Sequence, residues 1–135
     1  MKSLFLFVTL ICAVVVTSAS FANDKSPMAR KQKATTQFNQ PVVVQGVTLK
    51  GEYLFVHDDA AMARGEACTR IYKGTAEIAS NLVVEFHCVP IQRTKANYFL
   101  ARTVRRADGI IELNEFQFKG DTEAHGTPAD RKSVV

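Results

Sequence analysis

Residues 98–119 read YFLARTVRRADGIIELNEFQFK, two runs of strand-forming residues around Asp108-Gly109. Gly accepts the positive φ that a tight hairpin turn needs, so this pair predicts a two-residue turn. That turn sets Arg105 opposite Glu112, Val104 opposite Leu113, Arg102 opposite Glu115 and Phe99 opposite Phe118. Two opposite-charge pairs and an aromatic pair follow from one register, each worth about 0.2–1 kcal/mol. One feature conflicts with a flat ladder. Near the turn Val104, Ile111 and Leu113 share a face, whereas Phe99, Ala101, Phe116 and Phe118 occupy the other. Either a bulge near Asn114 or a switch between two packed layers reconciles the two halves.

Upstream, the pattern stays β. Val42 to Leu49 is a β-branched run with Gly46 as a bulge position, Glu52 to His57 forms a second strand, and Gly51 between them permits a bend. Asp58 to Gly65 predicts a helix of one or two turns, with Asp as the cap and Gly65 as the left-handed stop. Glu66 to Lys73 resumes as a strand, 74–81 is a loop, and Leu82 to Val89 reads as one strand that Pro90 ends. The expected fold is all-β and mainly antiparallel, a small barrel or sandwich of about six strands with one short helix.

Residues 1–22 read as a secretory signal peptide. Lys2 precedes an apolar run from Leu4 to Val16, and Ser20 and Ala22 suit cleavage after Ala22. The run is too short to span a bilayer, which needs about 20 residues, so no stable membrane anchor is expected. Cys12 does not suit lipoprotein processing, because Ile11 stands where a small residue is required. The expected organisation is a signal peptide at 1–22, a flexible basic leader at 23–40, one β-rich domain at 41–120 and a frayed tail at 121–135. The expected location is the periplasm or the medium.

The 135-residue chain has 17 Lys and Arg against 13 Asp and Glu. The segment 41–127 holds ten basic and eleven acidic residues, so the excess of positive charge lies at the ends. A nucleic-acid binder carries its charge as a patch on the folded face, so no nucleic acid is expected as partner. The partner itself is unknown from sequence.

After signal removal two cysteines remain, Cys68 and Cys88. In an exported chain an even pair reads as a disulfide, whose loop of about 20 residues contributes about 3 kcal/mol. Buried reduced thiols and catalytic or metal-binding thiolates are the alternatives. If the flanking strands pair directly, Arg70 faces Phe86 and Thr69 faces His87. Adjacent strand residues point to opposite faces, so His87 and Cys88 do not meet each other.

His57, His87 and His125 lie far apart in the chain and match no local ligand pattern. A metal site would need His57 and His87 together, completed by Asp58, Asp59 or His125. The expectation from strand positions is that these rings stay apart, and no cofactor is expected. The chain lacks a Gly-rich phosphate loop, a nucleophile elbow and an H-E-x-x-H helix.

The stretch from Tyr53 to Cys68, followed by Phe86-His87-Cys88-Val89-Pro90, resembles a unit found in small uncharacterised exported bacterial proteins. The resemblance implies a shared two-Cys unit around a short helix, and it implies no activity, ligand or catalytic residue. Three functions follow as expectations: first, an exported, non-enzymatic binding or structural module; second, a transition-metal-binding protein; third, a small hydrolase whose residues converge only in the fold.

Overall fold

The computed structural model describes residues 29–129. The segment 1–22, with its expected signal function, lies outside the described residues. The described chain folds into one eight-stranded sheet curled into a half-barrel, with one short helix. The strands are β1 (Lys31–Val44), β2 (Val47–Asp58), β3 (Thr69–Lys73), β4 (Leu82–Phe86), β5 (Val89–Gln92), β6 (Leu100–Arg105), β7 (Ile111–Gln117) and β8 (Glu123–Gly126). Helix α1 spans Asp59–Ala63, and a 3-10 turn covers Ala79–Asn81. The sheet order is β4-β3-β2-β1-β7-β8-β5, with β6 paired to β7. Every pairing is antiparallel except β1 with β7, which meet in parallel at Val43 and Glu112.

The β1–β2 hairpin corrects two expectations. Residues 31–40 are not a flexible leader; they pair with β2 from Lys31 opposite Asp58 to Phe38 opposite Gly51. Even-numbered residues Gln32, Ala34, Thr36, Phe38, Val42 and Val44 are the more buried set, a period of two in which polar Gln32 and Thr36 stand among apolar side chains. Backbone pairing with the apolar β2 supplies what the side chains of β1 do not announce. Gly46 is not a bulge but half of the hairpin turn, with φ of 49° at Gln45 and 77° at Gly46. Positive φ at both central residues is what a primed two-residue turn requires. The irregularity lies instead between Phe38 and Val42, where three residues including Pro41 oppose Lys50. Proline lacks an N–H and is tolerated where the ladder is interrupted.

The second hairpin, β6–β7, splits into two registers. Leu100, Ala101 and Arg102 face Gln117, Phe116 and Glu115, as the Asp108-Gly109 reading expects for Arg102. Nearer the turn the ladder slips by one, so that Thr103 faces Leu113, Val104 faces Glu112 and Arg105 faces Ile111. Asn114 is the residue left over, at the position expected for a bulge. The expected two-residue turn is a three-residue loop. Gly109 donates to the Arg106 carbonyl at 2.9 Å, Arg106 donates to the Ile110 carbonyl at 2.8 Å, and Gly109 has φ of 85°. A left-handed glycine after the turn adds one residue to the loop and shifts the ladder by one. Leu113 is buried, but Val104 is 46% exposed rather than packed beside it.

The expected strand 82–89 is two strands. β4 pairs with β3 and β5 pairs with β8, so the chain changes neighbours at His87-Cys88. β3 and β4 put Thr69 opposite Phe86 and Arg70 opposite Glu85, one residue from the expected register. Pro90 does not end the pairing; it lies inside β5 opposite His125, on the edge of the sheet. Nor is 121–135 a frayed tail throughout, since β8 runs between β5 and β7 with Ala124, His125 and Gly126 buried.

The inside of the curl is aromatic. Phe55 and Phe116 are fully buried with ring centroids 5.2 Å apart, and Phe38, Phe86, Phe99 and Phe118 pack around them. Each such ring contributes about 1.5–3 kcal/mol by leaving water. Glu115, next to Phe116 on β7 and turned to the other face, is buried and paired with Arg93 at 2.6 Å and Arg102 at 3.7 Å. On β2, Leu49, Tyr53, Phe55 and His57 share the core face. The aromatic core therefore leads directly to His57.

Candidate metal centre

Four buried side chains from distant segments converge at one end of the curl: His57 at the end of β2, Cys68 before β3, Cys88 between β4 and β5, and His125 on β8. The local sequence explains each placement. Asp58 caps α1, its Oδ1 accepting from the Ala60 and Ala61 N–H groups at 2.9 and 3.2 Å. The Asp58 N–H donates to the Cys68 carbonyl at 2.9 Å, which ties the approach to β3 against the helix start. His125 stands opposite Phe116 on β7 and stacks against its ring at 5.1 Å. Cys88 sits at the change of neighbours between β4 and β5, with its side chain inside and that of His87 outside.

The distances fit S–H···N hydrogen bonds and also the spacing of ligands around one ion. Cys88 Sγ lies 3.7 Å from His57 Nδ1 and 3.6 Å from His125 Nδ1. The ligand atoms of His57, Cys88 and His125 all lie within 4.8 Å of one another. Metal–sulfur bonds near 2.3 Å and metal–nitrogen bonds near 2.0–2.1 Å place sulfur and nitrogen about 3.6–3.8 Å apart around one ion. The three residues are 1%, 7% and 1% exposed, and the two imidazole rings face each other at 4.0 Å.

Hydrogen bonding orients the first imidazole. His57 Nε2 lies 2.9 Å from Asp59 Oδ1, so a proton on Nε2 leaves the Nδ1 lone pair toward Cys88. Asp59 is held in turn by the Arg30 N–H at 3.0 Å and the Arg30 guanidinium at 3.7 Å. Partial burial pushes the Asp59 carboxyl upward, but the bonds from Arg30 and His57 outweigh it and hold the group below its ordinary value. In His125, burial first and the neighbouring His57 second push the imidazole down to about 4, so it is neutral at pH 7. Its Nε2 has no hydrogen-bond partner. Neutral imidazoles are the metal-binding form.

The two cysteines correct the disulfide expectation. Both are free thiols, with Sγ atoms 2.9 Å apart against about 2.05 Å for a covalent bond. The Cys88 N–H donates to Cys68 Sγ at 3.2 Å. Burial, and then Cys68, push the Cys88 thiol up to about 12. Two thiolates sharing a tetrahedral ion would stand about 3.8 Å apart, so Cys68 crowds Cys88 too closely to ligate beside it without moving.

The expectation that the histidine rings stay apart is overturned for His57 and His125. The expected partner His87 is exposed on the outer side of the sheet and is not part of the cluster. Asp58 is a helix cap, and the neighbouring Asp59 is the carboxylate that reaches the site. In the sequence His125 stands only as a residue that could complete a site, and its strand is four residues of ordinary composition.

Cys88, His57 and Asp59 also form a thiol–imidazole–carboxylate line, the order used by cysteine nucleophiles. Its burial bars a bulky substrate, though not a molecule the size of water or peroxide. Three surface cavities lie beside Gln45 and Asn114, beside Gln37 and Thr103, and beside Pro41 and Ile110; none is lined by any of the four residues. Among the described residues no helix is long and apolar enough to cross a membrane. Comparison with protein-family models, curated proteins and solved structures finds no match to this chain.

Proposed function

We propose that the protein is a small exported metal-binding module that holds one thiophilic ion, Zn²⁺ or Cu⁺, through His57 Nδ1, Cys88 Sγ and His125 Nδ1. The observation that carries this reading is the pair of sulfur–nitrogen distances, 3.7 and 3.6 Å, in a buried cluster. Mixed sulfur and imidazole donors select borderline and soft ions over Mg²⁺ or Ca²⁺. Binding displaces the Cys88 proton, which the cation makes favourable. Export rests on the signal-like segment 1–22, and the exported form begins at Asn23.

The test is titration of reduced, metal-free protein with Zn²⁺ and, under anaerobic conditions, with Cu⁺. One equivalent binds at micromolar concentration or tighter, and X-ray absorption shows one sulfur and two nitrogens bound to the ion. His57→Ala and His125→Ala abolish binding, while His87→Ala retains it. Absence of stoichiometric binding of either ion, or equal loss with His87→Ala, overturns the reading. The intact mass of exported protein checks the start at Asn23.

A further inference from the structure

The sulfur that would bind the ion has a second partner. Cys68 Sγ lies 2.9 Å from Cys88 Sγ and is 1% exposed, but it is not one of the three mutually close ligand atoms. Two backbone N–H groups hold the pair in place: that of Cys88 donates to Cys68 Sγ, and that of Asp58 donates to the Cys68 carbonyl. Closing the sulfur gap to a covalent bond requires a movement of less than about 1 Å.

Resting on the metal-binding reading above, we propose that Cys68 is a redox lock on the metal site: oxidation joins Cys68 to Cys88, withdraws the sulfur of the His57–Cys88–His125 set and releases the ion. The metal-binding state is the dithiol, and the disulfide is the metal-free state. The oxidant is a peroxide, small enough to reach thiols that larger disulfides do not. In the ion-loaded protein, where Cys88 has lost its proton, the Cys88 thiolate attacks one peroxide oxygen, the O–O bond breaks, and the departing hydroxide takes a proton and leaves as water, giving a sulfenic acid. The Cys68 sulfur then attacks the Cys88 sulfur and loses its own proton. The S–O bond breaks and the hydroxide leaves as a second water. In total one thiolate, one thiol, one hydrogen peroxide and one proton yield one disulfide and two waters. The two sulfurs supply both electrons, and Zn²⁺, which has no redox chemistry of its own, keeps its charge. A disulfide sulfur is a poor ligand because only the thiolate binds metal strongly.

The experiment uses zinc-loaded protein treated with hydrogen peroxide. Zinc release is followed with a chromophoric chelator, and the Cys68–Cys88 bond by mass after alkylation. Wild-type protein releases its zinc in step with disulfide formation, and dithiothreitol restores binding. Cys68→Ser loads zinc with an affinity within about threefold of wild type, because Cys68 is not a ligand. It then releases zinc about tenfold more slowly or worse, and dithiothreitol does not reverse the loss. Equal and equally reversible release from wild type and Cys68→Ser overturns the lock. So does zinc retained after the wild-type disulfide has formed, which leaves the metal site itself standing. Failure of the untreated wild type to load zinc or Cu⁺ overturns both proposals. The wild-type correlation between release and disulfide formation decides the matter even if Cys68→Ser does not fold.

Discussion

Asp59 Oδ1 stands 2.9 Å from His57 Nε2, on the opposite edge of the ring from the Nδ1 that faces Cys88. The two residues are neighbours at the junction of β2 and α1, so the helix that Asp58 caps also aims the carboxylate. A carboxylate on the far nitrogen fixes the tautomer and raises the basicity of a ligating imidazole.

Asp59→Ala therefore weakens metal affinity roughly 10–100-fold while leaving the three ligands in place. Competition against a chelator of known zinc affinity measures the change. Asp58→Ala acts differently: it removes the cap and costs about 1 kcal/mol of stability in urea unfolding.

Phe116 carries both core and site. Its ring is fully buried against Phe55, and it supports the His125 ring by stacking at 5.1 Å. Phe116→Ala destabilises the fold by about 3–5 kcal/mol in denaturant unfolding. Metal affinity falls with it, because His125 loses the surface that holds its plane.

Gly109→Val tests the three-residue loop. At φ of 85° a β-branched side chain is strained, although the added Cβ meets no neighbouring atom within 4 Å. The expected cost is about 1–2 kcal/mol from backbone conformation alone. An urea midpoint unchanged from wild type contradicts the loop geometry described above.

Glu77 gives a pH signature to the otherwise polar strand β1. Hydrogen bonds from Lys31 at 2.7 Å and Lys33 at 2.6 Å hold its carboxyl below the ordinary range. A depressed carboxyl contributes stability above its unfolded value near pH 4.3 and loses it as pH falls through the folded value. The pair of lysines is about half exposed, so the contribution is below about 1 kcal/mol. Glu77→Gln lowers stability at pH 7 by that amount and removes the corresponding acid-side slope, measured by urea unfolding between about pH 3 and 7.

What the chain determines locally is visible in particular residues. Asp58, the alanines after it and Gly65 specify α1, since capping and a left-handed stop act within one or two turns. Arg102 meets Glu115, and the mismatch of apolar faces around Asn114 marks the bulge. These features depend on neighbours near in sequence, and the all-β class follows from their period of two. Only the tertiary structure decided which edges meet. The run 82–89 is uniformly strand-like, yet β4 joins β3 and β5 joins β8, because a period specifies the face a residue takes and not the strand beside it. The same closure decided the site. Cys88 and His125 stand 37 residues apart, and His57 lies 31 residues before Cys88. No local rule joins them; curling the sheet brings the end of β2, the break after β4 and the buried β8 to one place.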